Sequence, residues 1–134
     1  MNVLVLIFVA ASLLSLPVQG QAPPSAALPE SLRLVFGQAA ETRYVPRVRA
    51  VLALPTNLTP EQVDACYDFL AQKLGNQHLP DLEFNGLKNE LVFALTRQRR
   101  KPGELASRLV AMYRDRSLDS TWRDYCVQFF GKWY

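Results

Sequence analysis

TPEQVDACYDFLAQKLGN, residues 59–76, is the stretch on which the fold turns. Thr59 can cap a helix with its hydroxyl. Pro60 follows at the first helical position, where a missing N–H costs nothing, and Gln62 stands three residues after the cap. That is a capping box, and it predicts a helix starting at Pro60. Val63, Cys66, Tyr67, Leu70, Ala71 and Leu74 then fall at offsets 0, 3, 4, 7, 8 and 11. This is the apolar stripe of an amphipathic helix, not the alternation of a strand. Gly75 and Asn76 supply a stop signal, so the predicted helix runs to about Leu74.

The same grammar extends downstream. Phe84, Leu87, Leu91 and Leu95 mark a helix over 84–99, ended by Pro102-Gly103. Leu105, Leu109 and Met112 mark another, ending near Asp115. Asp119 or Ser120 caps a last helix. Its apolar positions, Trp122, Tyr125, Cys126, Phe129, Phe130 and Trp133, repeat the offsets 0, 3, 4, 7, 8 and 11. Upstream, Ser31–Phe36 is a short helical or extended piece closed by Gly37. Pro46–Leu54 reads as a helix with Val48, Val51 and Leu52 on one face. No segment alternates as a strand does, so the chain is all-α. Helix starts near Pro60 and Gly103 lie 43 residues apart, within the period of HEAT and armadillo repeats.

Four strings carry a resemblance: Leu87-Lys88-Asn89-Glu90-Leu91, Leu95-Thr96-Arg97-Gln98, Met112-Tyr113-Arg114-Asp115 and Trp122-Arg123-Asp124-Tyr125-Cys126-Val127-Gln128. Over residues 58–134 the chain resembles exported bacterial HEAT-repeat proteins. The resemblance implies antiparallel helix pairs stacked as a short α-solenoid, with no reaction attached. A non-repetitive helical bundle is the alternative. The implied role is a non-catalytic module for protein–protein interaction or scaffolding, with an unidentified protein partner. Such proteins usually continue with further repeats. The aromatic ending therefore reads in three ways: a truncated solenoid, a helix folded back on its own core, or a self-association surface. Trp122, Tyr125, Phe129, Phe130 and Trp133 form the candidate repeat-stacking face.

Residues 1–20 hold no charged side chain, and Val3–Leu16 is an apolar run of 14 residues. It is short for a membrane span, which needs about 20 residues, and fits a secretory signal cleaved after Gly20. The expected product is exported, to the periplasm or beyond the cell, with no stable membrane span. A short uncleaved anchor is the rival reading. Residues 21–30 read as a Pro/Ala-rich linker and 31–134 as one helical domain. In an oxidising compartment Cys66 and Cys126 can form one disulfide, closing a loop of about 60 residues worth about 4 kcal/mol. Two buried free thiols are the alternative.

Catalytic signatures are scarce. The sequence carries no phosphate-binding Gly-rich loop, no HExxH and no GxSxG. The lone histidine, His78, reads as a solvated loop residue. A thiol enzyme would need it beside Cys66 or Cys126. Asp64 and Asp68 are neighbours on one helix face and read as solvated. No catalytic residue, metal ligand or cofactor is assigned. Residues 97–134 hold nine of the fifteen Lys/Arg and four of the twelve Asp/Glu. Arg97, Arg99, Arg100 and Lys101 form the candidate anion- or partner-binding surface. Their competing role is to meet the negative end of a helix dipole. The run lacks interleaved aromatics, so nucleic acid is not an expected partner. Arg123-Asp124 reads as a charge pair tying the last helix to Arg114-Asp115.

Overall fold

The computed structural model describes residues 28–75 and 78–133. The secretory segment 1–20, the linker up to residue 27, Asn76 and Tyr134 lie outside the described residues. Six helices, and no strand among those residues, make up the fold: α1 Glu30–Val35, α2 Tyr44–Leu52, α3 Pro60–Leu70, α4 Asp81–Thr96, α5 Leu105–Arg114 and α6 Ser120–Trp133.

Local chemistry sets most boundaries. Pro29 precedes α1, so the helical fold already includes the end of the segment read as linker. After Phe36 the chain turns through Gly37 at φ +70°. Gly37 N–H donates to the Leu34 carbonyl, and Gln38 N–H donates to that of Arg33. This paired closure requires the left-handed residue that glycine supplies. At α3 the capping box forms in full. Gln62 N–H donates to Thr59 Oγ1 at 3.3 Å, and Thr59 N–H to Gln62 Oε1 at 3.0 Å. Asp119 caps α6, its Oδ2 accepting the Trp122 N–H at 3.1 Å.

Three expectations are corrected. First, α3 stops at Leu70, with Ala71 as its cap, rather than at Leu74. The next backbone carbonyl, that of Gln72, turns to accept from the Lys88 ammonium. Second, α4 begins three residues early, at Asp81, where Asp81 and Glu83 favour the positive helix end. Third, α2 buries Arg47, Ala50 and Val51, whereas Leu52 is 56% exposed. The face is rotated because Arg47 Nε donates to the Val35 carbonyl at 3.0 Å, bringing a cation to the carbonyl end of α1. A Cβ on Gly37 would lie 3.2 Å from this guanidinium.

Helix α4 is the centre of the packing. It contacts α2, α3 and α6, while α1 packs on α2 and α5 on α6. Burial therefore spreads round α4: Phe84, Leu87, Leu91, Val92, Ala94 and Leu95 are all buried. Gly86 admits α2, since a Cβ there would sit 2.8 Å from the Tyr44 hydroxyl. Aromatic contacts join the layers. Phe69 stacks on Phe36 at 5.2 Å and meets Phe84 edge-on at 5.6 Å. Phe93 meets Phe129 edge-on at 5.2 Å. Trp122 is fully buried.

Candidate functional site

The basic run begins where α4 ends. Arg97 is the C-cap, so its charge sits at the negative end of that helix. Gln98, in the middle of the run, is buried. Its Nε2 donates to the Pro55 carbonyl at 3.0 Å and the Ala94 carbonyl at 3.1 Å, and its Oε1 accepts the Leu58 N–H at 2.9 Å. Arg99 N–H donates to the Thr56 carbonyl at 2.8 Å. These bonds stitch the loop before α3 to the end of α4. They fix the path of the segment that follows.

That segment runs beside α3. Arg100, Lys101, Pro102, Gly103 and Glu104 form one wall of a groove of about 360 Å³. Leu58, Pro60, Val63, Asp64 and Tyr67 form the other. The structure thus brings Arg100 and Lys101 to the cavity. Arg97 and Arg99 are exposed but do not line it.

Tyr67 is the buried polar group of the groove. It is 4% exposed, and its hydroxyl has no protein partner among the described residues. The Arg108 guanidinium lies over its ring at 5.3 Å and pairs with Glu104 at 3.1 Å. Burial pushes the phenol up to about 12, and the Glu104 charge adds to the shift. Tyr67 therefore stays a neutral hydroxyl at physiological pH, able to donate one hydrogen bond and accept another. Chemically the groove offers an apolar floor, one hydroxyl, the two cations Arg100 and Lys101, and the two carboxylates Asp64 and Glu104, of which Glu104 is already paired with Arg108.

A second polar centre lies deep between α4 and α6. Lys88 is 1% exposed, with its ammonium 4.6 Å from the centre of the Phe84 ring and 5.1 Å from that of Trp122. Burial pushes its amine down to about 8, against the opposing pull of Cys126 and Asp119. Asn85 donates to Asp119 Oδ2 at 2.8 Å, the same oxygen that caps α6. Lys88 and Asn85 belong to the core, holding the α3–α4 loop and the start of α6 against α4. Periodicity carried a signal for Lys88, which lies four residues after Phe84 and three before Leu91, on the buried stripe.

The other predicted residues are dispersed. Cys66 and Cys126 stand as free thiols in this structure, both fully buried. They sit on α3 and α6, and α4 contacts both helices. Burial pushes each thiol up to about 12, with Lys88 partly offsetting this at Cys126. Neither is poised as a thiolate. His78 is exposed and adopts φ 53°. It borders a different groove with Arg43, Tyr44, Arg49 and Glu83, away from either thiol. Asp64 sits at the rim of the α3 groove, and Asp68 is exposed. Among the described residues no three His, Cys, Asp or Glu side chains are grouped to hold a metal ion, and no helix is long and apolar enough to cross a membrane.

The aromatic face of α6 turns mostly inward. Trp122 and Phe129 are buried, and Tyr125 and Phe130 are half-buried against the core. Trp133 ends the helix, its side chain outside the described residues. Compared with protein-family models, curated proteins and solved structures, the chain matches none.

Proposed function

We propose that this is an exported, non-catalytic helical-repeat module that binds an extended acidic segment of a partner protein in the α3 groove. One observation carries the reading. Two cations, Arg100 and Lys101, line a partly apolar groove with the unpartnered hydroxyl of Tyr67, and of the two carboxylates there Glu104 is already paired with Arg108, leaving Asp64 as the one opposing charge. An acidic side chain would meet the cations, a backbone carbonyl or N–H the hydroxyl, and a neighbouring apolar side chain the surface of Val63 and Pro102. The solenoid reading draws support from the contact order. Helix α2 contacts α4 and α4 contacts α6, and α1, α3 and α5 each pack beside the helix that follows. That is the pattern of three stacked helix pairs.

The test is fluorescence anisotropy of labelled ten-residue peptides in acidic, neutral and basic versions. The acidic version binds, and raising salt weakens it. Arg100→Glu combined with Lys101→Glu lowers its affinity at least about tenfold, and Tyr67→Phe lowers it severalfold. Equal affinity of the double variant and the parent, or no preference for the acidic peptide, refutes the proposal.

A further inference from the structure

At the corner joining α5 to α6, three arginines share one small pocket. Arg114 ends α5, Arg116 lies on the connecting turn, and Arg123 lies in the opening turns of α6. With Tyr113 and Asp124 they line a cavity of about 280 Å³. The turn that presents them is well braced. Asp115 Oδ1 accepts the Ser117 N–H at 2.9 Å, the Asp115 carbonyl accepts the Leu118 N–H at 3.1 Å, and Leu118 is buried.

Two features mark these arginines. Three other surface guanidinium groups are neutralised locally: Arg33 with Glu30 at 3.3 Å, Arg43 with Glu41 at 2.6 Å, Arg108 with Glu104 at 3.1 Å. Among the described residues no ion pair involves Arg114, Arg116 or Arg123, so the expected tie between Arg123-Asp124 and Arg114-Asp115 is not made as a salt bridge. In addition, Arg123 Nε is buried and has no hydrogen-bond partner among the described residues. A buried donor on a charged group is costly to leave unmade, and native structures rarely do so without a ligand or ordered solvent to receive it.

We infer that the Arg114–Arg116–Arg123 corner is a binding site for a small oxyanion, a phosphate or sulfate group in preference to a carboxylate. Guanidinium forks present parallel N–H donors matched to such oxygens. Three of them facing one carboxylate, that of Asp124, leave two positive charges on the pocket, enough for a doubly charged group. The exposed ring of Tyr113 forms a wall for whatever carries it. Asp115 is the competitor: its carboxyl is held below the usual range by the Ser117 hydrogen bonds, with Lys73 and Arg123 contributing. Because Asp115 Oδ1 is engaged by the turn, it limits affinity without filling the pocket.

The experiment follows the arginine side-chain Nε–Hε resonances of the 15N-labelled chain during titration with sodium phosphate, sodium sulfate and sodium acetate at constant ionic strength. The Arg123 resonance shifts saturably with phosphate or sulfate, with a Kd of about 1 mM or below, and acetate binds more weakly. Arg116→Gln, on an exposed turn, keeps the fold and weakens phosphate about tenfold. Arg100→Glu combined with Lys101→Glu leaves it unchanged. Shifts that stay linear to high millimolar phosphate, or an affinity that Arg116→Gln does not alter, overturn the assignment. Acetate binding as tightly as phosphate overturns the preference.

Discussion

Replacing Lys88 with methionine isolates the energetic cost of the buried ammonium. The folded-state amine is pushed down to about 8, whereas an unfolded lysine titrates near 10.4. A folded pKa below the unfolded one means that the unfolded chain binds more protons between those values. Unfolding free energy therefore rises with pH across that window. Below pH 8 both states are protonated, and the folded state carries the full penalty of about 3 kcal/mol, from about 1.4 kcal/mol per pKa unit. By pH 9 about 1 kcal/mol of it is relieved. The two thiols act in the opposite sense. Their folded pKa values, about 12, exceed the unfolded ones, so their contribution declines as pH rises past about 8.5. The parent protein alone would show only a shallow optimum. Both thiols remain in Lys88→Met, so the difference between the two proteins removes their contribution. The substitution also removes the hydrogen bond that Lys88 donates to the Gln72 carbonyl, a cost independent of pH. Urea unfolding followed by circular dichroism at pH 7, 8 and 9 gives the comparison. The stability of Lys88→Met relative to the parent should fall by about 1 kcal/mol from pH 7 to pH 9. A constant difference across that range refutes the buried-charge account.

Other perturbations address separate links. Trp122→Ala empties the fully buried site between α4 and α6 and should destabilise by about 3–5 kcal/mol in urea unfolding; under 1 kcal/mol would mean that the site is not closed. Gly37→Ala places a Cβ at φ +70° and against Arg47, so it should cost about 1 kcal/mol or more. Gln98→Ala frees the Leu58 N–H and the Pro55 carbonyl, costs about 1–3 kcal/mol, and weakens acidic-peptide binding although Gln98 does not line the groove. Both thiols should react with Ellman's reagent only as fast as the protein opens; rapid native labelling of either would contradict the buried placement.

The parts of the fold set by neighbouring residues were readable from the chain. Thr59, Pro60 and Gln62 specify the start of α3 by themselves, and Pro102-Gly103 separates α4 from α5 with no help from tertiary structure. What escaped was decided by distant partners. Arg47 looks like a surface cation, and Lys88 passes for one by residue type although its position falls on the buried stripe of α4. Each is drawn inside by a backbone carbonyl at a helix end, Val35 for the first and Gln72 for the second. Arg47 rotates α2, and Lys88 takes the carbonyl just past the end of α3, so the misjudged face of α2 and the misjudged end of α3 both trace to buried cations. Gln98 escaped for a similar reason. It sat within a string of charges, and nothing local revealed that its amide holds the loop 40 residues upstream. The groove was half legible: the Arg100-Lys101 pair stood out, but Tyr67 read as one more stripe residue. Only the placement of residues 100–104 beside α3 makes its hydroxyl part of a site.

The most direct test of the account is a backbone amide map of the 15N-labelled chain titrated with the acidic peptide. The account predicts saturable shifts centred on Leu58, Val63, Tyr67 and Arg100–Glu104, and their loss in the Arg100→Glu, Lys101→Glu double variant. Saturable shifts centred on α6 or on the Arg114–Arg123 corner, or no saturable shift at all, would contradict it.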